Sequence, residues 1–241
     1  MANRPFFIPT ENKDELVITD VVEFKWFFGF AKTQKQKSIL SFHKNISKNF
    51  KFNKILEIST KSEDKLGIKL SAFNLKINYK NKEYFLESLF QGSKIFTDQG
   101  PHQDIYEKKP IDAKKDERIK RSDLREFSFF GEKFSLDFDF YSWLYLIALN
   151  QNKNLTIKIL DYQAFTDIEF NPEKSLNCQA YSAALYSSML MSRISRVEEL
   201  SMSLIVSPRV IPGSNLSPGV IHVPSLTINV LVVVPSMILP S

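Results

Sequence analysis

The chain has 241 residues, 43% of them hydrophobic, and a formal net charge of +5. This length allows a sizeable buried core, which excludes the class of small domains that need disulfides or a metal to fold. The 32 basic residues barely exceed the 27 acidic ones, which excludes the dense positive charge of a dedicated nucleic-acid-binding protein but is compatible with a polyanionic partner.

Cysteine content and the N-terminal segment indicate a compartment. The single Cys178 cannot pair within the chain, and no spacing of Cys or His suggests a zinc site. The first residues lack the uninterrupted apolar run of a signal peptide. We therefore expect a cytoplasmic protein that holds no metal.

The first third of the chain predicts a small sheet with a helix beside it. Residues 16–30 are rich in Val, Ile and Phe and predict a strand followed by an aromatic loop. Residues 34–42 have the apolar spacing of a helix. Residues 55–60 and 67–73 predict the second and third strands.

Helical patterns dominate the rest of the chain. Apolar residues repeat at helical intervals in 84–96, and residues 140–151 predict an apolar helix. We expect Trp143 of this helix to be a core residue and not a base-stacking one. Residues 155–160 continue the core, and residues 175–190 predict a tightly packed final helix. The fold class that follows is α+β, mostly helical, with a small N-terminal sheet.

A charge-laden stretch at 111–125 interrupts this pattern after the turn at Gly100-Pro101. It is compatible with an exposed helix whose charges only face water, or with a loop that faces a ligand. The residues alone leave both interpretations open.

Composition changes sharply near residue 200. From Met202 onward Arg209 is the one charged residue, and six of the 11 prolines lie there. We therefore expect a domain over 1–200 and an atypical tail over 201–241, for which a frameshifted or degenerate ending is our hypothesis. The uncharged run at 219–239 is not expected to form a transmembrane helix, because Pro224 and Pro235 interrupt it.

Candidate chemistry begins with Glu87, Gln91 and Lys94. On a helix, these spacings place a carboxylate, an amide and an amine along one narrow stripe. Glu and Lys decorate exposed helix faces everywhere, so the spacing alone does not identify a site.

Resemblance gives this trio its weight. The pattern of Glu87, the pair Phe90-Gln91, and Lys94 with the aromatic Phe96 two positions later is similar to the signature of the NADAR family. Further stretches resemble the DarT-associated branch of that family, and together they extend from about residue 3 to residue 190. They are residues 26–31 with 34–39, 70–75, 164–172 and 174–180.

The resemblance implies an enzyme that binds ADP-ribose without metal or cofactor and cuts the bond between its terminal ribose and a base nitrogen. Breaking that bond leaves positive charge on the ribose, so a carboxylate is the expected stabiliser or acid–base group, and Glu87 is the candidate. A partly desolvated lysine can lose its proton and attack the anomeric carbon, and Lys94 is the candidate for that role.

The remaining candidates are assigned to parts of the ligand. Phe90 and Gln91 accompany the catalytic pair, Trp26 in a loop with Gly29 is the candidate for stacking, and Asp104 and Tyr106 are candidates for the ribose hydroxyls or the pocket wall. The basic candidates for binding the diphosphate are Lys114, Lys115 and Arg118, followed by Lys120 and Arg121. Asp167, Glu169 and Asn171 lie where the family has acidic residues near the ligand, although Phe170-Asn171 replaces a Trp-Gly pair of broader members.

The function that follows is an antitoxin glycohydrolase that removes ADP-ribose from guanine bases of DNA, paired with a DarT-type toxin and acting on single-stranded DNA, in which the base is accessible. Two alternatives stay open. One is an N-glycosidase of a small phosphorylated ribosylamine, and the other is a non-catalytic binder of the toxin or of modified DNA.

Overall fold

In the computed structural model, residues 1–12, 14–173, 175 and 177–191 are described. They form three small β-sheets and a set of mostly short helices. The strands are β1 (Ala2–Pro9), β2 (Val17–Phe24), β3 (Ile55–Glu57), β4 (Lys76–Tyr79), β5 (Lys82–Phe85), β6 (Lys94–Phe96), β7 (Leu124–Phe129), β8 (Glu132–Ser135) and β9 (Ala164–Thr166). The α-helices are α1 (Lys32–Phe50), α2 (Lys65–Leu70), α3 (Leu86–Gly92), α4 (Pro110–Lys115), α5 (Phe140–Gln151), α6 (Lys153–Thr156) and α7 (Gln179–Met191). Short 3₁₀ helices span Gln103–Glu107, Glu117–Ile119 and Ile157–Asp161.

The N-terminal sheet has four strands in the order β2-β1-β9-β3. β1 and β2 pair antiparallel along their whole length, from Ala2 opposite Phe24 to Pro9 opposite Val17. β9 pairs antiparallel with β1 and parallel with β3, so a late segment of the chain fills the middle of the sheet. The segment after β9 is thereby held beside the end of β3.

Hydrophobic cores cover both faces of this sheet. Phe6 and Phe7 are neighbours on β1, and because successive strand residues point to opposite faces, each enters a different core. On the Phe6 side, α1 packs with Ile39, Phe42 and Ile46 buried at helical spacing. The predicted helix at 34–42 is confirmed and extends further in both directions.

The larger core surrounds α5, which is buried on all sides except at its last residues. Trp143 is 1% exposed and packs edge-on against Phe129 of β7 at a centroid distance of 5.5 Å, and against Phe134 of β8 at 4.8 Å. Burial of each such side chain contributes roughly 1.5–3 kcal/mol, so these rings hold the sheet β6-β7-β8 against the helix. The core position expected for Trp143 is confirmed.

The prediction of a mostly helical domain is wrong. Of the described residues, 43% are helical and 23% lie in strands, an α+β mixture with several sheets. Most of the missed strands have three or four residues, too few for an alternating pattern to develop. The helices predicted at 140–151 and 175–190 are present as α5 and α7.

The strand predicted at 67–73 is also wrong, because the chain forms α2 there. Asp64 caps this helix by accepting a hydrogen bond from the backbone N–H of Leu66 at 2.7 Å. Gly67 allows the helix to lie directly against β3, since a Cβ at that position would be 1.9 Å from the backbone oxygen of Glu57. A local cap and a close contact therefore outweigh the alternation of apolar and polar residues that predicted a strand.

The helix predicted at 84–96 is divided into β5, α3 and β6. The chain leaves the helix after Gly92, where a Cβ would be 2.6 Å from the Tyr106 ring and 2.8 Å from the backbone oxygen of His102. Lys94 is therefore the first residue of β6, paired with Phe127 of β7. The charged stretch at 111–125 contains most of α4, a 3₁₀ turn and the start of β7.

None of the described helices combines the length and apolar character that a bilayer-spanning segment needs. The uncharged run at 219–239 and the whole tail predicted at 201–241 lie outside the described residues.

Candidate functional site

A chain of hydrogen bonds links the three residues of the signature. Gln91 Nε2 donates to Glu87 Oε1 at 2.9 Å, and Lys94 Nζ donates to Gln91 Oε1 at 2.6 Å. Glu87 and Gln91 are each 6% exposed, and Lys94 is half-buried. The amide therefore joins the carboxylate to the amine, although Lys94 lies on a strand and not on the helix that the sequence predicted.

Lys94 is in surroundings that favour its neutral form. Its amine lies 5.0 Å from the centre of the Phe90 ring. Burial lowers the pKa of Lys94 to about 8, against the carboxylate of Glu87, which raises it, and together with the ammonium of Lys114, which lowers it further. On the order of a tenth of the protein then carries a neutral, nucleophilic amine at neutral pH.

Asp167 supplies a second acidic group. Its carboxyl is 7% exposed, accepts a hydrogen bond from the Glu169 backbone N–H at 3.0 Å and is hydrogen-bonded by the Gln179 side chain. Burial raises the pKa of Asp167, and the Lys114 ammonium lowers it in part. Lys114 thus acts electrostatically on both Lys94 and Asp167.

Tyr141 of α5 is under the electrostatic influence of both acidic groups. Burial raises its pKa well above the usual range, and the charges of Glu87 and Asp167 both add to this effect. Tyr141 is therefore close enough to both carboxyls to be affected by their charges. Two carboxyls, an amine with a lowered pKa and a cation are a set that can stabilise a positive ribose ring and transfer protons around it.

The backbone of Ala72 connects the segments that carry Glu87 and Gln179. Its N–H donates to Gln179 Oε1 at 2.9 Å, and its carbonyl accepts the N–H of Glu87 at 3.1 Å. Gln179 also holds Asp167. The turn after α2, the first turn of α3 and the first turn of α7 are thereby fixed relative to one another.

Glu57 is a site-supporting residue that the sequence interpretation missed. Its carboxyl, 2% exposed, accepts a hydrogen bond from Thr166 Oγ1 at 2.6 Å and one from the Ile168 backbone N–H at 2.9 Å, so it spans the position of Asp167. Burial raises the pKa of Glu57, and the charge of Asp167 raises it further. His43 Nε2 lies 2.8 Å from Thr166 Oγ1 and extends the network. An acid within the apolar strand sequence Ile-Leu-Glu-Ile was the signal that could have revealed it.

We call Glu87, Gln91, Lys94 and Asp167 the cluster. The aromatic loop before α1 borders its Asp167 side. Trp26 is half-buried between the Arg4 guanidinium, 5.6 Å from its ring centre, and the Lys35 ammonium at 4.8 Å. Lys35 also pairs with Glu169 at 3.4 Å. Gly29 has a φ of +122° in the exposed part of this loop.

Other candidates are occupied elsewhere. Arg118 forms ion pairs with Asp104 at 2.7 Å and with Asp116 at 2.8 Å, so its guanidinium is already neutralised by two carboxylates. Tyr106 is 3% exposed and donates to the Ser128 carbonyl at 2.9 Å, beneath the junction of α3 and β6.

Two further lysines and one asparagine complete the candidate set. Lys114 and Lys115 are exposed at the end of α4, and Lys114 lies 5.4 Å from the ring centre of Phe73. The side chain of Asn171 accepts the Glu173 backbone N–H at 3.2 Å in a local turn. Among the basic candidates, Lys114 is the one whose charge acts on the cluster.

Within the described residues no group of three or more His, Cys, Asp or Glu side chains is arranged to hold a metal ion. The polar groups of the cluster and its surroundings are amides, an amine and carboxyls, which suit an organic ligand with hydroxyl and phosphate groups.

The sequence matches a family model described as DarT1-associated NADAR antitoxin over residues 2–203. The chain belongs to this family. A search among curated proteins finds no match. The resemblance predicted from the signature is thus confirmed, and with it an antitoxin role and an association with a DarT1 toxin.

In this NADAR chain, the stretches that carried the resemblance meet in space. The 70–75 stretch holds the first turn of the signature helix through Ala72. The 26–39 stretches contact the 164–172 stretch through Lys35 and Glu169. Stretches that are distant in the sequence are therefore joined by a backbone hydrogen bond in one case and by an ion pair in the other.

Proposed function

We propose that this antitoxin is a hydrolase that removes ADP-ribose from guanine bases of DNA modified by its DarT1-type toxin. The observation that supports this most directly is the hydrogen-bonded series Glu87–Gln91–Lys94, in which burial lowers the pKa of the amine to about 8. A simple structural ion pair would leave Lys94 fully charged. A partly neutral amine next to a carboxylate is equipped for attack on a sugar carbon.

The reaction we propose begins at the anomeric carbon of the ribose. The neutral Lys94 Nζ forms a bond to this carbon while the bond to the guanine nitrogen breaks, and that nitrogen takes up a proton. The resulting adduct opens to an imine as the ring oxygen is protonated. Water then adds to the imine carbon and expels the amine, so the net reaction consumes one water and yields guanine and ADP-ribose.

The acidic groups have separate roles in this proposal. Glu87 is ordered by Gln91 and stabilises the positive charge that develops on the ribose. Asp167, whose pKa is raised by burial, retains a proton near neutral pH and delivers it to the departing guanine. Two carboxyls in different surroundings can thus divide the charge-stabilising and acid roles.

Binding of the diphosphate is assigned to Lys114, with Lys115 beside it, because Lys114 already acts electrostatically on Lys94 and Asp167. Phe90 and Trp26 are proposed as walls for the sugar and the base, and Gly29, Glu169 and Asn171 as the rim. Asp104, Tyr106 and Arg118 are assigned a supporting role, because their polar groups are engaged with one another or with the backbone.

The test uses a single-stranded oligonucleotide that carries one ADP-ribosylated guanine. We expect the purified protein to release ADP-ribose and restore the unmodified oligonucleotide, as measured by chromatography and mass spectrometry. Lys94→Arg retains the charge but cannot form the imine, so it should lose at least about a hundredfold in rate.

Borohydride added during turnover should reduce the imine and leave a mass adduct on Lys94 of the wild-type protein. Full activity of Lys94→Arg without an adduct would refute the covalent route. Binding of the modified oligonucleotide without release would instead identify a non-catalytic binder.

A further inference from the structure

The loop between β2 and α1 exposes two aromatic rings to solvent. Phe28 is 86% exposed and Phe30 is 99% exposed, the highest values among the large apolar side chains of the described residues. Gly29 lies between them with a φ of +122°, a conformation that side chains rarely adopt. Two bare phenylalanines on one short loop form an unfavourable surface unless something covers them.

The charged residues of the loop and of the helix that follows it are all basic. The sequence from Lys25 to Lys54 contains eight lysines and no acidic residue. Lys25 lies 5.0 Å from the ring centre of Phe27, and Lys35 lies 4.8 Å from that of Trp26. Aromatic rings interleaved with lysines are the arrangement that single-stranded nucleic acids bind, through base stacking and phosphate contacts.

The loop also lies beside the candidate site. Lys35 joins it to Glu169, whose backbone N–H is hydrogen-bonded to Asp167. A strand that presents one base to the Glu87–Lys94 cluster would pass this loop with its neighbouring nucleotides.

We propose that the loop formed by residues 25–31 is a platform for single-stranded DNA, on which bases next to the modified guanine stack against Phe28 and Phe30 while lysines of α1 contact the phosphates. The proposal rests on the proposed function for the identity of the modified base. It explains why rings that would be costly on an ordinary surface are located at this edge of the site.

Direct binding tests the platform independently of catalysis. Fluorescence anisotropy with an unmodified, labelled oligothymidine should give a Kd for the wild-type protein that rises steeply with salt. The double variant Phe28→Ser/Phe30→Ser should raise this Kd by about tenfold or more, because stacking of one base on an aromatic ring typically contributes about that factor to affinity. Leu136→Ser is the matched control, an exposed apolar residue just after β8, and it should bind as wild type does.

An unchanged Kd in the double variant would overturn the proposal. So would a wild-type protein that binds anionic phosphatidylserine vesicles but no oligonucleotide, since the loop would then belong to a membrane surface. Thermal denaturation of the double variant should match wild type, because both rings are outside the core.

Activity separates this inference from the proposed function. The double variant should raise KM on the modified oligonucleotide about tenfold or more and leave the cleavage of ADP-ribosylated guanosine unchanged. If the double variant cleaved both substrates more slowly, the result would contradict a role of the loop as a DNA platform. If wild type cleaves neither substrate, the proposed function fails, and the anisotropy result still decides whether the loop binds DNA.

Discussion

At Lys94, a hydrogen bond to Gln91 and a contact with the Phe90 ring take the place of water that would surround an exposed amine. The sequence predicted the grouping of Glu87, Gln91 and Lys94 through their spacing and their resemblance to a family. It predicted the wrong backbone for Lys94, because the end of α3 depends on Tyr106, which is distant in sequence from Gly92. The site residues could be predicted from the sequence, whereas the hydrogen bonds that join them through Gln91 could not.

Lys114→Ala should move the pH dependence of ADP-ribose release to higher pH. The ammonium of Lys114 helps to lower the pKa of Lys94, so its removal raises that pKa and reduces the neutral fraction. The rate at pH 7 should fall about two- to fivefold and recover at about pH 9, since Lys114 is exposed and its effect is screened. Single-turnover rates across this range measure the shift.

Lys115→Ala is the matched control for that experiment, because Lys115 is an exposed lysine at the next position. It should leave the midpoint of the pH profile in place. An equal shift in both variants would show that general surface charge, and not Lys114, sets the pKa of Lys94.

Gln91→Leu should disconnect Glu87 from Lys94 while the size of the side chain is nearly preserved. Because Gln91 is buried and bonded to both, its loss leaves two polar groups without their partner and frees the amine to move. We expect a fall in kcat of about 10- to 100-fold with an unaltered circular dichroism spectrum. A wild-type kcat would show that the amide is only a spacer.

At the scale of elements, short strands decide where the site residues meet. β9 has three residues, yet it places Asp167 beside Glu57 of β3 and fixes the segment that follows. Each of these strands is too short for its sequence to predict which strand it pairs with. Their pairing also joins residues more than 100 positions apart. The long helices α1 and α5 were predictable, because their apolar spacing is local.

Gly67→Ala should destabilise the protein by about 3 kcal/mol, because the new methyl group would overlap the Glu57 carbonyl that α2 packs against. Urea denaturation measures the change. Gly131→Ala is the comparison, since a methyl group there meets nothing within 4 Å and only the φ of +99° opposes it. Its cost should be about 1 to 2 kcal/mol. Equal costs at the two positions would contradict the close packing of α2 on β3.

At the scale of the whole molecule, two cores share one sheet, and two acidic groups are buried at their boundary. Phe165 of β9 belongs to the larger core and its neighbour Ala164 to the smaller, so this strand ties the cores together. The hydrophobic content of the sequence predicted a core of this size. It did not indicate that strands would make up nearly a quarter of the described residues, because strands this short carry little pattern.

Stability should decrease as pH rises from about 6.5 to about 8. Burial raises the pKa of Glu57 and of Asp167, so the folded protein holds protons that the unfolded chain, with carboxyl pKa values near 4, has already lost. This contribution is complete below about pH 4, decreases as pH rises above the unfolded pKa values, and is fully lost once pH has passed the raised values. His43 does not obscure it, because its pKa is lowered to about 4 by burial and the unfolded imidazole is largely neutral above pH 6.5.

Glu57→Gln should make the urea midpoint less dependent on pH over the same range, because one of the two buried acids is removed. Glu23→Gln, an exposed carboxylate on β2, should leave the dependence as it is. A wild-type midpoint that rises with pH would contradict the assignment of the buried acids.

The position of β9 between β1 and β3 has a consequence for synthesis in the cell. The hairpin of β1 and β2 leaves the ribosome early, but its inner edge has no partner until residues 164–166 have emerged. Asp167 and Gln179 follow later still. Protection against the toxin therefore begins only after residues 164–179 have emerged, and a nascent chain that ends before them gives the cell none.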